Sequence, residues 1–163
     1  TEIFHLGPYF PLAFASIAFG VAAASFFNSR VFHRFGMRAL SHGALLGFVT
    51  AGAAMLLAVV TGFVPLWLFI ALSMLMMFAF GLMFSNFTAL AMEPQGHIAG
   101  TASSLYGSIT TLVGIGIGIT LGQLYDGTLR PFATGSLVFT LAAIAVVLIT
   151  ERGHVFTPSK QAH

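Results

Sequence analysis

The side chains able to do acid–base, nucleophilic or metal chemistry are few in this 163-residue chain, and their positions limit what chemistry is open to it. Histidines stand at His5, His33, His42, His97, His154 and His163, acids at Glu2, Glu93, Asp126 and Glu151, and cysteine is absent. All of these groups fall in loops or near the ends of long apolar runs. An ionisable group in the middle of such a run would be the default sign of a proton or ion path, and none is found there. An intramembrane serine protease needs a His at the depth of its Ser, and an aspartyl type needs paired acids; neither arrangement exists in this sequence. Metal-ligand clusters and thiol chemistry are missing as well. The expectation is a protein that is not an enzyme and needs no cofactor.

What the sequence offers instead is surface. Between Glu93 and Asp126 lie more than thirty residues without an acid, Lys or Arg. At about 100° per residue, Gly100, Ser104, Gly107, Ser108, Thr111, Gly114, Gly118 and Gly122 gather on about a third of the circumference. Gly114, Gly118 and Gly122 form a doubled GxxxG, in which missing side chains let helices touch and gain van der Waals contact. Two readings stand: static helix packing, or a surface on which two bundles slide or rock. The GIGIG portion is not a phosphate loop, because no strand precedes it.

A second face comprises Ser73, Met77, Phe80, Gly81, Phe84 and Thr88, spaced by three and four. Met and Phe are adaptable contacts that suit a promiscuous apolar binding surface, and in a membrane they also serve plain packing or lipid contact. The basic stretch NSRVFHRFGMR, with Arg34, Gly36 and Arg38, reads as a loop with a tight bend at Gly36. At minimum it anchors topology and meets phospholipid headgroups.

These faces must be carried by membrane helices. Hydrophobic residues make up 58% of the chain and charged ones 6%, where a soluble domain carries about a quarter charged. The charges cluster, which marks where the chain leaves the bilayer, because burying one at its centre costs about 2.5–3.5 kcal/mol. The predicted architecture is all-α, an integral membrane bundle over 1–152 with a cytoplasmic tail at 153–163. Five spans are expected, at about 8–27, 39–61, 66–91, 97–125 and 131–150, with Gly62 to Pro65 breaking the second from the third. Five spans put Arg30, Arg34, Arg38, Arg152 and Lys160 on one side and Arg130 on the other. Positive charge marks the cytoplasmic face, so the N-terminus is predicted outside and the C-terminus inside. The few basic groups imply no nucleic-acid partner. No signal peptide is read at the N-terminus, and the initial Thr reads as the start of a fragment or processed product.

The run NFTALAMEPQGHIAGTASSLYG, the Gly-rich helix after it and QLYDGT resemble the second half of major facilitator superfamily drug exporters. The likeness is greatest to the bicyclomycin-resistance (Bcr/CflA) type of drug–proton antiporter, and it covers essentially the whole chain. The resemblance implies two six-helix bundles rocking about a central cavity, with the five spans as helices eight to twelve. The third span would then line the cavity, and the Gly-rich span would lie at the interface between bundles. The 29–38 stretch would be the second-half version of the cytoplasmic motif G-x-x-x-D-R-x-G-R-R. Arg34, Gly36 and Arg38 match it, whereas Ser29, His33 and Met37 depart from it, which weakens any salt-bridge latch there.

The expected function is therefore the C-terminal part of a multidrug efflux transporter in a bacterial inner membrane, inactive as this fragment alone. Its partners would be membrane lipid, a small hydrophobic drug-like substrate and the missing N-terminal bundle. The rival is a non-transporting scaffold that binds a partner helix through its Gly-rich face; a remnant of a truncated gene is a third reading.

Overall fold

The structure, a computed structural model, describes residues 4–150. Among these residues all regular structure is helical. A 3₁₀ turn at Gly7–Tyr9 leads into α1 (Phe10–Phe35), α2 (Met37–Thr61) and α3 (Leu66–Met92). A 3₁₀ segment at Glu93–Ile98 then joins α3 to α4 (Ala99–Gln123), and α5 (Arg130–Thr150) follows. Four helical stretches are long and apolar enough to cross a membrane: Gly7–Phe35, Met37–Thr61, Leu66–Gln123 and Arg130–Thr150.

The third stretch contains α3, the 3₁₀ segment and α4, 58 residues in all. Laid straight it would run about 87 Å, nearly three times a hydrocarbon core. It does not run straight. Thr88 on α3 and Tyr106 on α4 share a hydrogen bond of 3.0 Å between their hydroxyls. Phe80 of α3 lines the same cavity as Ile117 and Leu121 of α4. The chain therefore reverses at Glu93–Ile98, and α4 returns along α3. Pro94 and Gly96 lie in that turn, residues that interrupt regular α-helix and permit a bend.

The other joints are short and locally determined. Gly62 ends α2 in the left-handed region at φ +73°, and its N–H and that of Phe63 donate to carbonyls of the last turn, as a helix-stopping glycine does. Pro65, in extended backbone, then starts α3, and its carbonyl accepts from Leu68 and Phe69. The predicted loop at 29–38 is not a loop. Helix α1 continues through it to Phe35, and Gly36 alone, at φ +78°, separates α1 from α2. A charge ends an apolar run without ending a helix, because backbone bonding is indifferent to the side chain that points outward. Long basic side chains can lie over apolar neighbours; the Arg30 guanidinium sits 4.6 Å from the Phe26 ring centre. The bend at Gly36 itself is where the sequence puts it. The first residues of the predicted 97–125 span belong to the 3₁₀ turn, and α4 ends at Gln123. The predicted tail at 153–163 lies outside the described residues.

The tight part of the bundle is α3 packed against α1 and α2. Its buried centre is Ala24, Ala44, Ala79 and Leu82, with Phe48, Phe78 and Met83 against it. In lipid, apolar burial gives no drive for helices to associate, so close packing and interhelical hydrogen bonds must hold them. Small residues supply the packing: a Cβ added at Gly81 would come within 2.8 Å of the Ala24 Cβ, and one at Gly20 would strike the Met74 carbonyl oxygen. Asn86, 1% exposed, supplies the bond, donating at 2.8 Å to the Asn28 side-chain oxygen. Large apolar side chains such as Phe14, Phe19, Leu57, Leu112 and Ile149 face outward, as lipid-facing positions do.

Candidate functional site

The Met/Phe stripe predicted on α3 divides between two environments. Met77 and Gly81 turn to α1, where Gly20 and Ala24 meet them. Ser73 is buried. Phe80 and Phe84 are about half exposed and face the other way, into a cavity. Thr88 lies toward α4 and bonds Tyr106. Only part of the predicted stripe thus belongs to a binding surface. The stripe spans too wide an arc for one neighbour, and α1 takes the side where small residues allow close approach.

The cavity that Phe80 and Phe84 enter lies between α2, α3, α4 and α5 and measures about 490 Å³. That volume is within the usual range of roughly 300–1,000 Å³ for small-molecule sites. Its walls are Leu45 and Phe48 from α2, Phe80, Met83, Phe84 and Phe87 from α3, Tyr106, Ile117 and Leu121 from α4, and Phe139, Ala143 and Val147 from α5. The hydroxyls among them are already engaged. Tyr106 is tied to Thr88, Ser136 donates to the Phe132 carbonyl at 2.7 Å, and Thr140 donates to the Ser136 carbonyl. Among the described residues no acid, Lys, Arg or His lines the chamber. Such a site binds by shape and aromatic contact, with hydroxyl oxygens left to accept a hydrogen bond. It can hold an apolar molecule.

Sequence reasoning did not select the contributions of α2, α4 and α5 to this chamber. Those helices are apolar around most of their circumference, so periodicity cannot show which side faces inward. The Phe48, Phe139, Thr140 and Val147 positions carry no other mark.

The predicted small-residue face of α4 is present and empty. No residue of α4 is buried. A Cβ built at Gly100, Gly107, Gly114, Gly118 or Gly122 meets nothing within 4 Å. Ser104 and Ser108, on the same face, donate to the carbonyls of Gly100 and Ser104, and Thr111 is exposed among exposed neighbours. Helix α4 is held to the rest mainly at its two ends, by the Tyr106–Thr88 bond and by Leu121, whose side chain sits against Gly135 of α5.

The basic positions frame one end of the bundle. Arg34 is exposed and lies 5.7 Å from the Phe35 ring, Gly36 forms the joint, and Arg38 is half-buried. Arg38 lines a second cavity of about 520 Å³ with Glu93 and Thr150, so α2 begins where α3 and α5 finish. Arg130 is at the far end of α5. His42, one turn beyond Arg38, is 2% exposed with its ring centre 6.3 Å from that of Phe87. The sequence places His42 near a span end, and the structure adds that it is buried there.

Between α4 and α5, Asp126 orders the connection. Its Oδ1 accepts from the Thr128 hydroxyl at 2.6 Å and from the Thr128 backbone N–H at 3.0 Å. These bonds favour the charged carboxylate and hold Asp126 below its ordinary value of 3.8. Among the described residues no three His, Cys, Asp or Glu side chains come together as a metal site. Comparisons with protein-family models, with curated proteins and with solved structures return no match to this chain.

Proposed function

We propose that this chain forms the C-terminal bundle of a proton-driven exporter of hydrophobic, drug-like compounds in a bacterial inner membrane. The observation that carries this reading is the aromatic chamber of about 490 Å³, closed on one side by a helix whose outer face is unfilled. In this reading α3 and α4 each cross the bilayer, giving five crossings. Arg30, Arg34 and Arg38 lie at the cytoplasmic end, with the N-terminus outside and the C-terminus inside. A first bundle covers Gly114, Gly118 and Gly122, and substrate binds by apolar contact with Phe80 and Phe84. Transport proceeds by alternating access between two states that differ in affinity, without covalent chemistry. The proton coupling and the first bundle rest on the family resemblance.

The test is dye efflux in an efflux-deficient bacterium, with the chain joined to the first bundle. Gly118→Leu should insert normally and abolish efflux. Phe84→Ala should alter the relative export of two dyes about tenfold, as a change of contact in an apolar pocket does. Export against a gradient by the 163-residue chain alone would overturn the need for a first bundle. Unchanged efflux in Gly118→Leu would overturn the interface role of the glycine face.

The empty face of α4 also favours a second reading, a membrane scaffold that docks a partner helix and moves no solute. In that case the joined protein exports no dye, and Gly118→Leu loses only the partner.

A further inference from the structure

Helix α5 presents Ser136, Phe139, Thr140, Ala143 and Val147 to the chamber. Their spacing of three and four puts all of them on one face of the helix, so the two hydroxyls stand on the chamber side. Each hydroxyl proton is already committed. Ser136 donates to the Phe132 carbonyl, and Thr140, 7% exposed, donates to the Ser136 carbonyl. On the α4 side Tyr106 and Thr88 share one bond; the phenol is the more acidic hydroxyl and is the donor in it. A hydroxyl that has given its proton to a neighbour keeps lone pairs to accept with. The Met83 thioether, also in the wall, accepts weakly and donates nothing. Among the described residues the lining side chains thus offer acceptors and no uncommitted donor, framed by the rings of Phe48, Phe80, Phe84, Phe87 and Phe139.

We propose that the chamber recognises flat aromatic compounds through an N–H or O–H donor, which bonds the Ser136 or Thr140 oxygen on α5. The ring system lies against Phe80, Phe84 and Phe139, where offset or edge-to-face contact adds to burial. A donor that enters an apolar chamber gives up its hydrogen bond to water or to a lipid ester, and the α5 oxygens restore one. A compound with an acceptor in the same place meets lone pairs instead. To satisfy it, Ser136 or Thr140 would have to break the bond to its own helix, so the exchange gains little. The direction of these hydrogen bonds, more than their number, sets the preference. This preference rests on the reading of the chamber as the substrate site; a compound that is bound and not moved would show it equally.

The experiment is equilibrium dialysis of carbazole, dibenzofuran and fluorene, compounds of one shape, against the full chain in nanodiscs. Discs without protein set the partition into lipid, which is subtracted. Carbazole carries an N–H donor, dibenzofuran an oxygen acceptor and fluorene a methylene at the same position. Carbazole should bind about fivefold more tightly than fluorene, the ratio expected of one net hydrogen bond. Dibenzofuran should bind no more tightly than fluorene. Ser136→Ala combined with Thr140→Val should bring carbazole to the level of fluorene. Both substitutions remove a bond only within α5, and unchanged fluorene binding checks that the chamber stands. The comparison on the unaltered chain needs no variant. Saturable binding of none of the compounds would overturn the small-molecule reading of the chamber, and the preference with it. Equal binding of carbazole and fluorene would overturn the preference alone. Dibenzofuran bound as tightly as carbazole would overturn the direction assigned to the hydroxyl protons. A carbazole preference that survives in the double variant would overturn its assignment to α5.

Discussion

Gly20 and Gly81, where α1 meets α3, and Gly114, Gly118 and Gly122 on α4 are the same residue type in the same kind of helix. At Gly20 and Gly81 there is no room for a methyl group. On α4 there is nothing but room. The difference teaches that small-residue spacing states a capacity for contact, while the neighbour decides whether it is used. Helix α1 brings Gly20 and Ala24 one turn apart to face Met77 and Gly81, a complement made within this chain. No described element presents such a complement to the glycine face of α4.

The largest expected effect that separates the two regions is steric. Gly20→Ala drives its Cβ into the Met74 carbonyl oxygen and should cost about 3 kcal/mol of stability, near the upper end for overpacking. Gly118→Ala meets nothing and should instead gain up to about 1 kcal/mol from helix propensity. Thermal unfolding in detergent, followed by circular dichroism, measures both, and similar responses would break the comparison.

Next is the polar tie inside the tight region. Asn86→Leu leaves Asn28 without the amide it accepts from and should cost about 1–2 kcal/mol, whereas replacing both Asn residues by Leu should recover most of the loss. A double-mutant cycle reads the coupling directly. The corresponding tie on the loose side is weaker. Tyr106→Phe removes the bond to Thr88 and should cost about 0.6 kcal/mol, an average interhelical bond in a membrane. Its clearer readout is faster hydrogen exchange at Glu93–Ile98, the 3₁₀ segment that joins α3 to α4; unchanged exchange would mean the bond does not hold α4.

The smallest effect lies in the connection to α5. Asp126 has a folded value below the ordinary 3.8 because Thr128 hydrogen-bonds its charged form. Its contribution to the order of that connection is therefore fully present above the ordinary value and is lost as pH falls through the lower folded one. The Thr128 methyl resonance should shift in that acid window, and Asp126→Asn should abolish the shift.

Much of the architecture could be read from the residues. The breaks at Gly62 to Pro65 and at Gly36 follow from backbone chemistry that acts within a few residues, so they are visible in the sequence. The extent of α1 was not, because Arg30, His33 and Arg34 look like loop residues when only polarity is weighed. The chamber was half legible. Phe80 and Phe84 stood out by spacing, but Met77 and Gly81, on the same stripe, were claimed by α1. Which neighbour claims a residue is a property of the assembled helices, and near-uniformly apolar helices leave no periodic trace of it. His42 shows the same gap, since proximity to a span end does not reveal burial.

The hydroxyls on the glycine face of α4 have a consequence for register. Ser104 and Ser108 direct their protons to carbonyls of α4 itself, one turn back. Thr111 stands exposed on the same face, one turn before Gly114. A helix laid against this face would meet bare backbone at Gly114, Gly118 and Gly122 and a side chain to catch on at Thr111, so its height on α4 would be marked at one level and left open along the glycine run.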